Sequence, residues 1–204
     1  MDISGLIALK KEKGEKVIIE LGCGPSKQLG VIGVDFLPLP GVDHVANIEN
    51  GLSFLEDESI DEIRSVHVFE HIENFESLMK EIHRVLKKDG IHRITVPHFS
   101  NPYYYSDYTH KRFFGLYTFD YMGSPKTTLK RKVPSFYSDV KFDIVSRKLR
   151  FKSTRIIRYL LFKKPCNIFF NLNDYTKELY EELFTGIFGC FEIEFVMKPD
   201  RPKN

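Results

Sequence analysis

A glycine-rich turn and an acidic residue, both placed where apolar runs end, could together hold a nucleotide-like molecule. Gly22 and Gly24 follow the run 16–21, and Asp35 closes a second run, 31–34. Glycine lets the backbone approach a ligand closely, and an ionised carboxylate can accept hydrogen bonds from two ribose hydroxyls. These residues therefore predict a nucleotide-type site at the carboxyl ends of parallel strands.

The turn lacks the full pattern of a dinucleotide site. That pattern has a third glycine, where Lys27 stands, and an acid about 20 residues further on. Asp35 follows Gly24 by only 11 residues, so the connection 25–30 is too short for the usual crossover of about a dozen residues. Because the N-terminus of that helix normally binds the pyrophosphate, we expect a ligand other than NAD.

Strand and helix signals alternate along the first half of the chain. The clearest helix runs from Asn74, as N-cap, to Gly90 just past its end. Apolar and β-branched runs predict five strands, at 16–21, 31–35, 44–46, 63–68 and 91–96. This order predicts an α/β fold with a doubly wound, mostly parallel Rossmann-like sheet and shortened first crossover connections.

The second half is less regular. Its spacing predicts a strand at 142–151, a helix at 153–163, a helix beginning at Asn173 or Asp174, and a last, antiparallel strand at 191–196 that ends before Pro199. We interpret the chain as one domain, 1–204. It comprises a leading segment 1–15, a ligand-binding half 16–97 and a half 98–204 that contains a basic segment, 126–164.

Composition excludes several protein classes. The chain is 42% hydrophobic and 28% charged, with 18 Phe and 10 Tyr, as expected of a folded globular protein and not of a disordered one. Its three cysteines have neither disulfide-scaffold nor metal-type spacing, and no apolar leader is seen, so we expect a reducing, cytoplasmic setting. No apolar run approaches the roughly 20 residues of a membrane span.

Charge is distributed unevenly. Residues 1–100 carry a net charge of −6 and residues 101–204 a net charge of +8, and the basic segment contains 13 Lys or Arg against two acids. Such a segment is either a solvated surface or a site for a phosphorylated substrate, a nucleic acid or an anionic membrane.

Four short motifs occur in order at compatible spacings. They are E-L-G-C-G-P-S at 20–26, I-G-V-D at 32–35, H-V-F-E-H-I at 67–72 and R-V-L-K-K-D-G at 84–90. Over about residues 16–115, and more loosely at 191–197, the chain resembles class I S-adenosylmethionine-dependent methyltransferases. The resemblance is to a small, type 11-like branch often associated with surface polysaccharide synthesis. It implies a methyltransferase with S-adenosyl-L-methionine as cofactor.

The resemblance also implies cofactor-binding residues. Asp35 would accept both ribose hydroxyls, and Glu20 would either offset the cofactor's positive charge or only order the turn. Asn47 stands where many members have Asp, but its carbonyl oxygen can still accept from the adenine amino group. Cys23 is expected as a wall residue and not a nucleophile. The predicted set is Glu20, Gly22, Cys23, Gly24, Asp35, Phe36, Asn47 and His67.

Residues 97–114 resemble an H-x-x-x-P…D-x-T-H-x-R-x-F segment of the same branch, which implies the pocket for the methyl acceptor. A hydroxyl acceptor needs a base, so we expect His98 or His110 in that role with Asp107 as its orienting partner. Alternatively, Asp107 pairs with Arg112 to shape the loop. We predict three catalytic residues, His98, Asp107 and His110, and three substrate-binding residues, Tyr103, Tyr105 and Arg112.

His98, Asp107 and His110 also form a two-histidine, one-carboxylate set that could hold a divalent metal. Three ligands spread over 13 residues of loop are weak evidence. We therefore expect no metal.

The expected function is S-adenosylmethionine-dependent methyl transfer to a small polar or glycan-type acceptor, at oxygen. The alternatives are an RNA methyltransferase that uses the basic segment and a non-catalytic module that binds S-adenosylmethionine. The basic segment has few glycines and no RNA-binding motif, so we expect an anionic small molecule or glycan and no nucleic acid. The sequence does not indicate an oligomeric state.

We expect the basic segment to lie over or beside the acceptor pocket, because the chain would leave the fifth strand at the ligand edge and return to it for 142–151. We also expect the helix at 153–163 to pack on the domain; contact with an anionic membrane surface is the alternative.

Overall fold

A single seven-stranded sheet organises the chain in a computed structural model, which describes residues 2–126 and 128–201. Met1 and residues 202–204, at the ends of the predicted domain, and Thr127, within the basic segment, lie outside the described residues.

The strand order is β3-β2-β1-β4-β5-β7-β6. All neighbours pair in parallel except β7, which is antiparallel to both β5 and β6. This arrangement confirms the predicted mostly parallel Rossmann-like sheet with a last antiparallel strand. The strands are β1 (Ile18–Leu21), β2 (Ile32–Asp35), β3 (His44–Val45), β4 (Ile60–Val66), β5 (Leu86–Pro97), β6 (Lys141–Arg150) and β7 (Glu192–Asp200).

Loops replace the first crossover helices. Residues 22–31 and 36–43 contain no helical residue, so β1, β2 and β3 are joined by irregular chain, as the short spacing predicted. The α-helices are α1 (Ile3–Glu12), α2 (Phe75–Val85), α3 (Ile156–Arg158), α4 (Lys164–Phe169) and α5 (Asp174–Leu179). Helix α2 buries Leu78, Met79 and Ile82 in the core beside the sheet.

The predicted end of α2 at Gly90 is wrong. The helix ends at Val85 and β5 begins at the next residue, so that Gly90 lies inside β5 where its pairing with β4 is irregular. A Cβ on Gly90 would come within 2.9 Å of the Lys87 carbonyl oxygen. Close backbone packing in a strand irregularity, and not a helix cap, explains this glycine.

Lys126, at the start of the basic segment, lies at the opposite edge of the sheet from the one predicted, whereas the Lys130 and Arg131 N–H groups donate to Glu178 on α5. Because β6 is parallel to β5, the chain must cross to the amino edge of the sheet before it can enter β6 at Lys141. Lys126 accordingly contacts Asp143 and Asp200 at that edge. The prediction assumed that the connection returned to the ligand edge, which the direction of β6 excludes.

The later part of the basic segment does return to the ligand edge, because β6 ends there at Arg150. It continues as helical chain from Ile156 to Phe169, with a π turn at Tyr159–Lys163. Pro165, which has no N–H to donate to the preceding turn, follows this π turn. Lys163 bonds the Gly189 carbonyl and contacts the Phe151 ring, but the apolar side chains Ile156, Ile157, Leu160 and Leu161 are exposed and do not pack on the domain as predicted. Among the described residues, no helix is long and apolar enough to cross a membrane.

Candidate functional site

A cavity of about 380 Å³ opens at the carboxyl ends of β1, β2 and β4. Its volume lies within the range of small-molecule sites, and its position is the usual ligand position in open α/β sheets. We call it the cofactor cavity. It is lined by Gly22, Asp35, Phe36, Ala46, Asn47, Ile48, Glu49, His67, Val68, His71 and Ile72.

The glycine-rich turn forms one wall of this cavity. Gly22 and Gly24 have φ angles of +64° and +55°, which other residues adopt only with strain. A Cβ on Gly22 would lie 2.4 Å from a methyl carbon of Val68. The turn is held by hydrogen bonds from Gly22 and Cys23 N–H to the Val34 carbonyl. Glycine is therefore required at position 22 by conformation and by space.

Asp35 is buried at the end of β2 and lines the cavity. Its Oδ2 accepts the Gly24 N–H at 2.9 Å, and its Oδ1 accepts the Leu37 N–H at 3.1 Å. Each carboxylate oxygen has further acceptor capacity, so two ribose hydroxyls can still be bound. The turn and the acid predicted from their spacing are thus joined by a direct hydrogen bond.

Phe36 and Asn47 form the outer rim of the cavity. The Phe36 ring is 67% exposed, which leaves its face free to stack on a planar ligand. The Asn47 side-chain oxygen accepts the Glu49 N–H at 3.0 Å. Its carbonyl oxygen is therefore partly engaged, and its amide NH₂ is the more available group for a ligand.

Glu20 and Cys23, two predicted cofactor residues, are not among the residues that line the cavity. Glu20 accepts the Gln28 N–H at 3.0 Å, which orders the connection after the turn. Burial, followed by the negative charges of Asp35 and Glu20, raises the pKa of the Cys23 thiol to about 11. A neutral thiol at physiological pH agrees with a wall residue and not with a nucleophile.

His67 lines the cavity with a φ of +54°. Its Nε2 lies 3.1 Å from Glu192 Oε2, and its Nδ1 lies 3.2 Å from Glu70 Oε1. The Glu192 hydrogen bond and then the Glu70 hydrogen bond raise the pKa of His67 to about 9. Lys152 binds the other Glu192 oxygen at 2.6 Å. His67 is therefore a cation at neutral pH that joins the cavity wall to β7.

The acceptor loop predicted at 97–114 packs against the cavity wall. The Thr109 Oγ1 lies 3.0 Å from His71 Nδ1, and the Lys111 N–H donates to the Glu70 carbonyl at 2.7 Å. Arg112 donates to the Ile72 carbonyl at 2.9 Å, so this side chain attaches the loop to the cavity wall and does not pair with Asp107.

The three predicted catalytic residues are only partly brought together. His110 Nε2 lies 3.5 Å from Asp107 Oδ2, so these two predicted residues are neighbours. His98 is completely buried, with Nδ1 bonded to Ser100 Oγ at 2.8 Å and Nε2 to Glu181 at 3.1 Å. Because both ring nitrogens are occupied and no atom is exposed, this geometry does not support His98 as the base.

The predicted substrate-binding tyrosines are exposed on the same loop. Tyr103 and Tyr105 are 68% and 69% exposed. The Tyr103 ring is 6.5 Å from that of Phe191, which in turn is 6.4 Å from His67. These aromatic rings lie in a row between the loop and the cavity.

Sequence reasoning missed several residues that line the cavity or lie beside it. Glu70 and His71 were inside the quoted H-V-F-E-H-I motif, whose spacing places both on one turn, but no role was assigned to them. Glu49, whose carboxylate accepts the Glu73 and Asn74 N–H groups before α2, lacked any sequence signal. Glu192 is 125 residues from His67, so only the fold brings the two together.

Comparisons with known proteins agree with this geometry. A family model described as "Methyltransferase domain" matches residues 19–94. A search of curated proteins found no match.

Solved structures share the fold over nearly the whole chain. An Archaeoglobus fulgidus SAM-dependent methyltransferase is 19% identical with a TM-score of 0.53, over 96% of this chain and 93% of that one. The YcgJ protein of Bacillus subtilis is 14% identical, with a TM-score of 0.50 over 98% and 100% of the two chains. A Haloferax volcanii protein solved with the Trm112 methyltransferase activator is 14% identical, with a TM-score of 0.52 over 93% and 84%.

The cavity at the strand ends and the glycine turn bonded to Asp35 agree with these matches. Residues 19–94 match a methyltransferase domain, and the chain has the fold of solved S-adenosylmethionine-dependent methyltransferases.

Proposed function

We propose that the protein transfers the methyl group of S-adenosylmethionine to a hydroxyl of a small polar or glycan-type acceptor. The observation that carries this proposal is the composition of the loop beside the cofactor cavity. It combines exposed tyrosine rings with a histidine–carboxylate pair, and it is attached directly to the cavity wall at His71. Aromatic faces and hydroxyls suit sugar rings, and a hydroxyl acceptor needs a base.

The proton arrangement at His110 suits that base. Its Nδ1 lies 3.0 Å from the Tyr104 carbonyl oxygen, which can only accept, so Nδ1 carries the hydrogen and Nε2 carries a lone pair. In the proposed step the acceptor oxygen attacks the methyl carbon in line with the sulfur. The carbon–sulfur bond breaks to give S-adenosylhomocysteine, and the hydroxyl proton moves to Nε2, where Asp107 stabilises the cation.

In this proposal the cofactor is bound by Asp35, the glycine turn and the Phe36–Asn47 rim. Glu20 and Cys23 hold this turn in place from behind it, and His67 supplies a fixed positive charge at the cavity wall. An RNA acceptor held by the basic segment is less well supported, because Lys126 and the start of β6 lie at the opposite edge of the sheet.

We further propose that the acceptor is presented at an anionic membrane surface. The helical chain after β6 starts at the cavity edge and exposes large apolar side chains between basic ones. A lipid-linked glycan would place the sugar at the loop and its lipid in the adjoining membrane. The three cysteines are all free, which supports reaction in a reducing compartment such as the cytoplasm.

The experiment measures release of S-adenosylhomocysteine from purified protein incubated with fractionated cell extract and a panel of sugars, nucleotide sugars and RNA. We expect release with a glycan or other small polar fraction. His110→Gln should lower kcat by about 10²- to 10⁴-fold, the usual contribution of a general base, while calorimetry shows unchanged cofactor affinity. His44→Gln, which removes a histidine outside the loop, is the matched control.

If S-adenosylhomocysteine is released only with RNA, the proposal is wrong and the protein is an RNA methyltransferase. If the protein binds S-adenosylmethionine but releases S-adenosylhomocysteine with none of the fractions, a non-catalytic binding module is favoured. Equal kcat in His110→Gln and His44→Gln would exclude His110 as the base.

A further inference from the structure

Three side chains beside the cofactor cavity converge without being bonded to one another. Glu70 and His71 lie on the turn Phe69–His71, and His110 lies on the acceptor loop. One ligand atom from each residue lies within 4.8 Å of those of the other two. His71 also lines the cofactor cavity. His110 follows His71 by 39 residues in the chain, which is why the sequence did not suggest this set.

The Glu70 carboxylate is only half satisfied. Its side chain is 1% exposed, and Oε1 is bonded to His67. Within residues 2–126 and 128–201, its Oε2 has no hydrogen-bond partner. A buried carboxylate oxygen without a partner is costly, and such atoms in folded proteins usually have a bound ion or water as partner.

Hydrogen bonding places a hydrogen on Nδ1 of both histidines, so that in the neutral ring Nε2 carries the lone pair. Nδ1 of His110 donates to the Tyr104 carbonyl. Thr109 Oγ1 donates its hydrogen to Asp107 Oδ1 at 2.5 Å, so it can only accept from His71, whose Nδ1 lies 3.0 Å away. Both Nε2 atoms are then acceptors. Donation from Nδ1 to a carbonyl or hydroxyl oxygen is the usual support of a metal-binding histidine.

Each of the three residues can therefore offer an electron pair, and one ligand atom of each lies in the same region. His110 Nε2 also faces the Asp107 carboxylate at 3.5 Å, and two acceptors at this separation favour a cation nearby. Two donors bound to one tetrahedral ion at about 2.0–2.2 Å lie about 3.3–3.6 Å apart, so donor separations of up to 4.8 Å would have to shorten by as much as about 1.5 Å when the ion binds.

We propose that Glu70, His71 and His110 bind one divalent transition-metal ion of the zinc, manganese or iron class. Two imidazoles and one carboxylate suit these metals, whereas magnesium and calcium prefer all-oxygen sites. Three protein ligands leave positions open toward the cavity.

The role of the ion rests on the proposed function. In one of its open positions, the acceptor hydroxyl would be held beside the methyl group and made more acidic. In that case His110 acts as a ligand, and the proton leaves through water at the open side of the loop. Metal binding itself does not depend on the acceptor and can be measured without any turnover.

The test uses the full-length protein, stripped with a chelator, reloaded with Zn²⁺, Mn²⁺ or Mg²⁺ and dialysed. Elemental analysis should find one equivalent of Zn²⁺ or Mn²⁺ per chain, and not of Mg²⁺. His71→Ala and His110→Ala should each weaken metal binding by at least about 100-fold in a calorimetric titration, and His44→Ala should leave it unchanged. A far-UV circular dichroism spectrum equal to that of wild type would show that each variant is folded.

If the double variant His71→Ala/His110→Ala binds as much metal as wild type, the proposed site is wrong. The site is also wrong if wild-type protein binds neither Zn²⁺ nor Mn²⁺. The test distinguishes failure of the metal site from failure of the proposed function. Metal bound at this site with no glycan methylation would reject the function and keep the site. Unchanged glycan methylation by chelator-treated protein that binds no metal would reject the site and keep the function.

Discussion

Asp35 has a fixed orientation before any cofactor binds. Each of its oxygens already accepts one backbone N–H, from Gly24 and from Leu37, so the remaining lone pairs point in set directions. A group held in this way loses little side-chain entropy when a ligand binds.

We therefore predict that Asp35→Ala lowers S-adenosylmethionine affinity by at least about 100-fold, because two charge-assisted hydrogen bonds to the ribose are lost. Isothermal titration calorimetry measures this change, and Asp139→Ala, a fully exposed acid, is the control. A loss below tenfold with the fold intact would show that the ribose is bound elsewhere.

For single residues, the sequence predicts the backbone conformation better than the direction in which a side chain faces. The motif predicted Gly22 and Asp35 because a strand end and a tight turn constrain them locally. His98 was misjudged because a histidine at a strand end has the same local pattern whether it faces the cavity or the core. Its partner Glu181 is 83 residues away, beyond the reach of any local pattern.

At the scale of elements, the alternation of apolar runs predicted the parallel core of the sheet well. The position of the basic segment could not be predicted in the same way. Because β7 inserts antiparallel between β5 and β6, the direction of β6 depends on a partner that follows it in the chain. The direction of a strand depends on the strands with which it pairs, so no local pattern within residues 141–150 indicates it.

One buried ion pair attaches β6 to the turn Thr118–Met122. Arg147 and Asp120 are 2.6 Å apart and almost completely buried. We predict that Arg147→Met lowers the free energy of unfolding by about 3–5 kcal/mol, because it leaves the Asp120 charge buried without this partner. Urea unfolding measures the effect.

Arg150→Met is the control on the same strand. Its pair with Glu194 is partly exposed, so its removal should cost about 0–1 kcal/mol. The double variant Asp120→Leu/Arg147→Met should regain part of the loss. Similar losses in Arg147→Met and Arg150→Met would contradict this account of the buried pair.

At the scale of the whole molecule, acid stability depends on a histidine in the core. Burial lowers the pKa of His92 to about 3. Unfolded chains protonate histidine below about pH 6.5, so between pH 6.5 and 3 the unfolded state binds more protons and acid favours unfolding. Near pH 5 this one residue should reduce stability by about 2 kcal/mol relative to pH 8.

We predict that His92→Leu flattens the dependence of the unfolding free energy on pH between 8 and 5 by about that amount. The comparison is made by urea unfolding at each pH, with His44→Leu, a partly exposed histidine, as the control. An unchanged slope in His92→Leu would show that His92 becomes protonated within the folded protein.

The helical chain after β6 also concerns the molecule as a whole, because it presents apolar side chains to solvent. Ile156, Ile157 and Leu161 are 68%, 68% and 63% exposed, and Arg155 and Arg158 lie among them. Apolar side chains with neighbouring basic groups suit the interface of an anionic membrane.

We predict that the protein floats with vesicles containing phosphatidylglycerol and not with vesicles of phosphatidylcholine alone. Ile157→Asp/Leu161→Asp should abolish flotation, whereas Val145→Asp, at an exposed apolar position on β6, should leave it intact. If light scattering instead shows a dimer that the double variant separates, and wild type does not float, the surface contacts a second copy and not a membrane.

The uneven strand lengths have a further consequence. β1, β2 and β3 have four, four and two residues and are linked by loops, whereas β5, β6 and β7 have twelve, ten and nine. Local opening should therefore cost less free energy in the short strands, and their amide hydrogens should exchange first with deuterated solvent. In the proposed site S-adenosylmethionine lies at the ends of these strands, so the cofactor should slow exchange across residues 18–47 and hardly affect β5, β6 and β7. Ligand binding would then stabilise the less stable half of the sheet selectively.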